Sequence, residues 1–367
     1  MQTTLPCPVD ARIETVRHGE KSLGSAQSEE LIARFAKASY PQVKRLTPDA
    51  WHPYHRVMRV FFASDIHGST ACFGKLVRAR DFYKVDVVLM GGDLAGKELV
   101  PIVRDGAGWS AAFRGARHEF ATADEVAEFE RRVALVGAYS ARVEADEFEH
   151  LRDDQEHVEA TMRRLILERT QRWVDLAEDR LGSSRDRFYL GLGNDDFDEF
   201  IPLIDGDVVG YAREGAMDFG DLTLLSLGWS NPTPWHTNRE APEQELGERL
   251  AAMSAGLDPA RTVLNVHVPP HGSGLDLAPR LDEHLRIQLE GGEPDLVPVG
   301  STAVRDFVRE FQPAASLHGH IHEGRGTTTI GRTTVVNPGS EYDQATLLGA
   351  IVDIRPGKKI RTQLVTG

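Results

Sequence analysis

Apolar, β-rich runs recur along this chain, and one after another they end at a residue whose side chain carries a carboxylate, carboxamide or imidazole. Asp65 and His67 follow MRVFFA in SDIHG, Asp93 follows VDVVLM in MGGDLAGK, and Asn194 follows RFYL in GLGNDD. His267 lies in RTVLNVHV, and His320 and His322 close SLHGHIH. Near-continuous apolar runs of this kind suit strands covered on both faces, as in α/β folds. Ligands of such folds gather where strands end, so side chains from distant blocks are expected to converge at one sheet edge.

Each of these residues has an ordinary structural role when taken alone. An Asp after a strand caps helices and turns, a lone His packs with a hydrogen bond, and Asn194 after a glycine suits a left-handed turn. Together they form a donor set. Carboxylate oxygen with imidazole nitrogen suits first-row divalent ions (Mn, Fe, Zn, Co or Ni, with manganese favoured) rather than calcium. A carboxylate shared by two ions would set them about 3.5–4 Å apart, the spacing used for in-line displacement at phosphorus.

The length, 367 residues, accommodates one large α/β domain carrying an insertion. Residues 1–57 read as an N-terminal extension with one helix starting at an N-cap Ser28. Residues 58–102 and 183–367 hold the strands. Between them, 103–182 is charge-rich and reads as an all-helical insertion, with Val126, Phe129, Val133 and Val136 along one buried face. Its two readings are a solvated cap and a lid over a substrate. Downstream, Ser301 is the expected N-cap of the helix STAVRDFVREF, and Gly331 the turn of a hairpin.

A net charge of −14 gives no electrostatic footprint for nucleic acid, which is not expected as a partner. Cys7 and Cys72 are too few for a disulfide framework or a four-cysteine zinc site, which suits a reducing compartment. The first twenty residues contain no apolar stretch, and no later run is long enough to span a bilayer. The expectation is a cytoplasmic protein without a membrane partner; the oligomeric state is open. Gly91, Gly96 and Lys97 fit a P-loop as far as GxxxxGK, but Glu98 stands where Ser or Thr would hold magnesium, and the nucleophile-elbow pattern GxSxG is absent.

The ordered blocks DxH, GD, GN, strand-end His and GHxH resemble the calcineurin-like metallophosphoesterase superfamily over residues 58–102 and 186–355. GWSNPTPWHTNRE, HVPPHGSGLD and GHIHEGRGTTTIGRTTVVNPGSEYD are similar to the predicted phosphoesterases related to cyclic-nucleotide phosphodiesterases. The resemblance implies a four-layer αββα sandwich, here with a helical insertion. It also implies a binuclear site with Asp65, His67 and His322 on one metal, Asn194, His267 and His320 on the other, and Asp93 between them. The implied activity is hydrolysis of a small or nucleotide-like phosphoester by a metal-bridging hydroxide. The alternatives are a phosphomonoesterase or nucleotidase, or a non-catalytic metal-binding scaffold of the same fold.

Many members of the superfamily carry a catalytic His directly after the Asn, whereas this chain has Asp195. Asp195 would serve as general acid only if burial or Asp196 raised its pKa, while nearby metal charge acts the other way. His271 is a second candidate donor, though a loop role suits it better. His318 alternates with His320 and should face the core or support a ligand from behind. Without the usual His, good leaving groups are expected to be cleaved best. The acidic run Asp195, Asp196 and Asp198 favours a diester over the more highly charged monoester.

Overall fold

Alternation within the apolar runs sends successive side chains to opposite faces of two stacked sheets. The computed structural model describes residues 57–182, 187–355 and 358–367. The helix expected from Ser28, with the rest of residues 1–56, lies outside the described residues. One six-stranded sheet runs in the order Arg361–Thr366, Leu348–Ile354, Met58–Ala63, Val87–Met90, Phe188–Leu190, Gly210–Tyr211. The other runs Gly326–Ile330, Thr333–Asn337, Ala315–Leu317, Thr262–Val266, Leu222–Leu227, Gly215–Phe219.

Val60 and Phe62 point between the sheets, where they pack with Leu224, Val263, Leu317 and Val336 of the second sheet. Phe61 and Ala63 point outward, into a cluster with Phe73 and Leu76 of helix Thr70–Tyr83 and Trp173 and Ala177 of helix Gln155–Leu181. On the far side, Leu225 and Val266 pack against Leu246 and Leu250 of helix Glu243–Ser254 and Val304 and Val308 of helix Thr302–Phe311. The architecture is thus helix, sheet, sheet, helix. Both faces of each central strand are covered, which is why their sequences are apolar throughout.

Parallel pairing fixes which strand ends gather. In the first sheet Met58–Ala63, Val87–Met90 and Phe188–Leu190 run parallel, and in the second Leu222–Leu227, Thr262–Val266, Ala315–Leu317 and Thr333–Asn337 do. Every expected ligand lies just beyond the C-terminal end of one of these strands. Ser301 caps its helix as expected, accepting from Val304 N at 3.1 Å, and Gly331 turns its hairpin with φ 61°.

The segment expected to be all helical is mixed. Leu99–Asp105, Gly108–Phe113, Ala116–Phe120 and Tyr139–Val143 form a separate four-stranded sheet, in the order Ala116–Phe120, Gly108–Phe113, Leu99–Asp105, Tyr139–Val143. Turns at Gly106 (φ 59°) and Gly115 (φ 75°) set two hairpins, whose short strands lie in a charge-rich stretch that hides their period. The helical expectation holds for Ala123–Leu135, Ala145–Asp153 and Gln155–Leu181. Val126, Phe129 and Val133 bury one face against Val100, Ile102 and Phe120, and Val136 falls at the C-cap. Among the described residues no helix is long and apolar enough to cross a membrane.

Candidate metal centre

The first sheet delivers Asp65, His67, Asp93 and Asn194, and the second His267, His320 and His322. Asp65, His67 and His322 form one group of potential metal ligands, and Asp93, His267 and His320 another. Asn194 joins the second group, its Oδ1 lying 2.7 Å from His320 Nδ1. The two groups share a border. Asp93 Oδ2 stands 3.6 Å from His67 Nε2 and 3.3 Å from His267 Nε2, while Asp65 Oδ1 stands 3.6 Å from His322 Nε2 and 3.7 Å from His267 Nε2. Both carboxylates therefore face imidazoles of both groups.

The backbone is bent to make this possible. Asp65, His67, Asp93 and His320 adopt left-handed φ of 57°, 36°, 58° and 66°. Such conformations cost roughly 1–2 kcal/mol each for L-residues and persist only where the surroundings enforce them. Here the first two ligand loops are laced together by Asp65 N to Gly92 O (2.9 Å), His67 N to Asp93 O (3.1 Å) and Gly68 N to Leu94 O (2.8 Å). The Asp65 carboxylate accepts from His320 N, both oxygens at 3.0 Å, which ties the two sheets together at the site. Asn194 sits in a turn but is not left-handed, so the left-handed turn that an Asn after glycine suits is not what it provides.

Glycines supply the room. A Cβ on Gly193 would sit 2.2 Å from Asp93 Oδ1, and one on Gly319 would sit 2.2 Å from Asp65 Oδ2.

Several donors point at one another instead of at partners. His67 Nδ1 bonds Ala95 O at 3.0 Å, which leaves its Nε2 lone pair aimed inward, 3.0 Å from His322 Nε2. Neither ring nitrogen of buried His267 makes a hydrogen bond, although Nε2 approaches Asp93. Buried polar atoms are nearly always satisfied, so these orphans need an explanation. Donor atoms bound about 2.1 Å from a common ion stand roughly 3.0–3.5 Å apart, close to the separations seen here. The donor set fits divalent metal.

Burial pushes His320 down to about 3 and His67 well below the usual imidazole range, keeping both neutral as ligation requires. Burial pushes Asp93 up to about 7. Burial also opposes the charged forms of His267 and Asp65, but their mutual attraction, with Asp93 acting on His267 and the other imidazoles on Asp65, raises His267 to about 9 and lowers Asp65.

Asp195 lies beside the cluster but is not set up as an acid. Its Oδ2 is 2.6 Å from Lys97 Nζ, and although burial opposes ionisation, Lys97 and then His67 lower its pKa to about 2. A raised pKa was the condition for a donor role. Asp196 is turned away to hold backbone: that carboxylate is buried and accepts from Leu94 N (3.1 Å), Ala95 N (2.8 Å) and Gly193 N (2.8 Å). Asp198 pairs with Arg239. His271 belongs to none of the ligand groups, and its Nδ1 lies 3.8 Å from Asp276 Oδ2.

His318 is fully buried behind the site, as its alternation with His320 implied. Nδ1 meets Val266 O at 2.8 Å and Val268 O at 2.9 Å, while Nε2 meets Ser316 Oγ at 2.6 Å. It fixes the backbone on both sides of His267.

Three supporting residues had little signal in the sequence. Buried Arg169, on the long helix, donates to Gly68 O and Ala138 O, both at 2.8 Å. Thr237 Oγ1 accepts from Asn194 Nδ2 at 2.8 Å, and Tyr342 packs on His67 with ring centroids 4.8 Å apart. Lys97 was visible, but as part of an incomplete P-loop. The chain after it enters strand Leu99–Asp105 rather than a helix, which removes that reading.

No family model matches the chain. An uncharacterized protein of Methanocaldococcus jannaschii, MJ1162, is 30% identical over 120 residues, which is 32% of this chain and 48% of that protein. The match thus spans about half the length of that curated relative. Among solved structures, TT1561 of Thermus thermophilus is similar at 16% identity and a TM-score of 0.33, covering 85% of this chain and 99% of that one. A novel archaeal phosphodiesterase is similar at 11% identity and a TM-score of 0.27, covering 84% and 100%.

Proposed function

We propose that this chain is a metal-dependent phosphoester hydrolase of the calcineurin-like metallophosphoesterase superfamily, with two divalent transition-metal ions, manganese foremost. The observation that carries the reading is the convergence of buried imidazole nitrogens and carboxylates from both sheets, with His67 Nε2 facing His322 Nε2 at 3.0 Å and His267 without a hydrogen bond. Asp65, His67 and His322 would hold one ion, Asn194, His267 and His320 the other, with Asp93 between. Bound there, the pair would neutralise phosphoryl oxygens and make water a nucleophile at neutral pH.

The chain's own groups shape the substrate preference. An ionised Asp195 protonates no leaving oxygen, so esters with good leaving groups are favoured. Asp198 is paired with Arg239, while Asp196, held by three backbone amides, still acts on Asp195 and His267 through its charge. Asp65, Asp93 and Asp195 still set three carboxylates in the cluster, and a diester brings less negative charge to them than a monoester does. A small or nucleotide-like phosphodiester is the proposed substrate class.

Elemental analysis of the purified protein, joined to hydrolysis of bis(p-nitrophenyl) phosphate and p-nitrophenyl phosphate after manganese loading, tests the reading. Two ions per chain and faster diester turnover are expected. Faster monoester turnover would point to a phosphomonoesterase or nucleotidase. A protein without transition metal, in which Asn194→Ala changes nothing measurable, would be a scaffold rather than an enzyme.

A further inference from the structure

Lys97 is the one part of the MGGDLAGK block that neither the ligand set nor a P-loop accounts for. Its place is set by Gly96, where a Cβ would sit 2.3 Å from Gly137 O and 2.8 Å from His67 O. Only a glycine lets the chain pass beneath the first ligand loop at this distance. The next residue then carries its ammonium to within 2.6 Å of Asp195 Oδ2. Asp195 is itself joined to the cluster: its amide donates to Asp93 Oδ1 at 3.0 Å, its Oδ2 lies 3.7 Å from His67 Nδ1, and it forms a ligand-atom group with His67 and Asp93.

Exposure differs from residue to residue across the cluster. Asp65, His67, Asp93, Asn194 and His267 are closed to solvent. The His322 side chain is 29% exposed and that of Lys97 53%, so both can be reached from solvent. Among the described residues Asp195 is the ion-pair partner of Lys97, and an ammonium has three N–H donors. Asp195 is largely buried while Lys97 is half exposed, so the ammonium keeps a solvent-facing side beyond its ion pair.

We propose that Lys97 binds a phosphoryl oxygen of the substrate beside the metal centre, with Asp195 holding the ammonium in place. The proposal rests on the phosphoester reading above. A compact, mobile point charge suits a phosphoryl group, and it offsets the carboxylates that would otherwise repel one. Lys97 thereby occupies a role for which this chain offers no imidazole after Asn194.

The test compares metal-loaded wild type, Lys97→Met and Lys97→Arg by titration with inorganic phosphate in a calorimeter, with metal content measured on each sample. Lys97→Met should keep its metal and its fold, melt somewhat lower because Asp195 loses its counter-ion, and bind phosphate about tenfold more weakly. Lys97→Arg, which keeps the charge, should return to within about threefold of wild type. Equal phosphate affinity in wild type and Lys97→Met, at equal metal content, would overturn the proposal. So would metal loss in Lys97→Met, which would assign the lysine to holding the centre through Asp195. Lys97-dependent phosphate binding in a protein that hydrolyses no ester would support this inference and remove the hydrolase reading. An active hydrolase with Lys97-independent phosphate binding would do the reverse.

Discussion

His67 Nε2 and His322 Nε2 stand 3.0 Å apart although 255 positions separate them in the chain. His67 comes from the end of a strand in one sheet and His322 from beyond a strand in the other, so the contact exists only because the two sheets are stacked with their C-terminal edges aligned. With Nδ1 of His67 committed to Ala95 O, two nitrogen atoms share a space that a cation would fill.

Replacing His322 by Ala should therefore lower metal content by about one ion per chain and lower phosphodiester turnover about a hundredfold or more, while the fold is retained. Atomic emission on dialysed protein and a circular dichroism melt check this. Full metal content in the variant would remove His322 from the ligand set.

Chelation should lower the melting temperature. A ligand that binds the folded state at a hundred times its dissociation constant stabilises by about 2.7 kcal/mol, and the buried donors leave the unfolded chain without an equivalent site. Calorimetric melts with and without chelator, at fixed pH, check it. A midpoint unchanged by manganese re-addition would count against a metal centre.

Gly193→Ala should disturb the site through Asp93. Its Cβ would lie 2.2 Å from Asp93 Oδ1 and 2.5 Å from Asp93 N, and the latter is backbone that cannot swing away. Overpacking of this kind costs about 1–3 kcal/mol, and metal affinity should fall with it. Denaturant midpoints together with manganese titration measure both effects.

Asp196→Asn should act in the same place by a different route. The carboxylate accepts three buried amides, from Leu94, Ala95 and Gly193, and an amide side chain turns a donor toward at least one of them. A cost of about 1–3 kcal/mol is expected, with weaker metal binding as the Asp93 and Asn194 loops lose their common anchor. The same two measurements check it, and a silent substitution would show that the loops hold without it.

Trp173→Ala separates fold from site. The ring stacks on Phe73 at 4.5 Å in the outer apolar core. A loss of about 3–5 kcal/mol is expected from the cavity, with metal stoichiometry unchanged below the new melting point. Urea unfolding and metal analysis at low temperature check it.

The strands, the helix capped by Ser301 and the hairpin at Gly331 were legible because each depends on a short window: an apolar run, a capping hydroxyl, a turn glycine. The strands of the insertion were not. Gly108–Phe113 and Ala116–Phe120 are short and partly exposed, so neighbouring charged helices dominate their composition. Asp195 was legible as a departure but not in its protonation, because Lys97, the group that keeps it ionised, sits 98 positions earlier in the chain.

The sequence by itself determined the kind of site: seven donors of the right chemistry, each placed just past a buried strand, an order that local propensity and ligand chemistry suffice to read. Tertiary structure alone decided that the donors meet. Parallel pairing points the strand ends of each sheet one way, core packing of Val60 and Phe62 against Leu224 and Val336 stacks the sheets, and left-handed backbone at Asp65, His67, Asp93 and His320 turns their side chains inward. It also decided the charge of Asp195, since an ionisation state is set by groups near in space, and distance along the chain carries no such information.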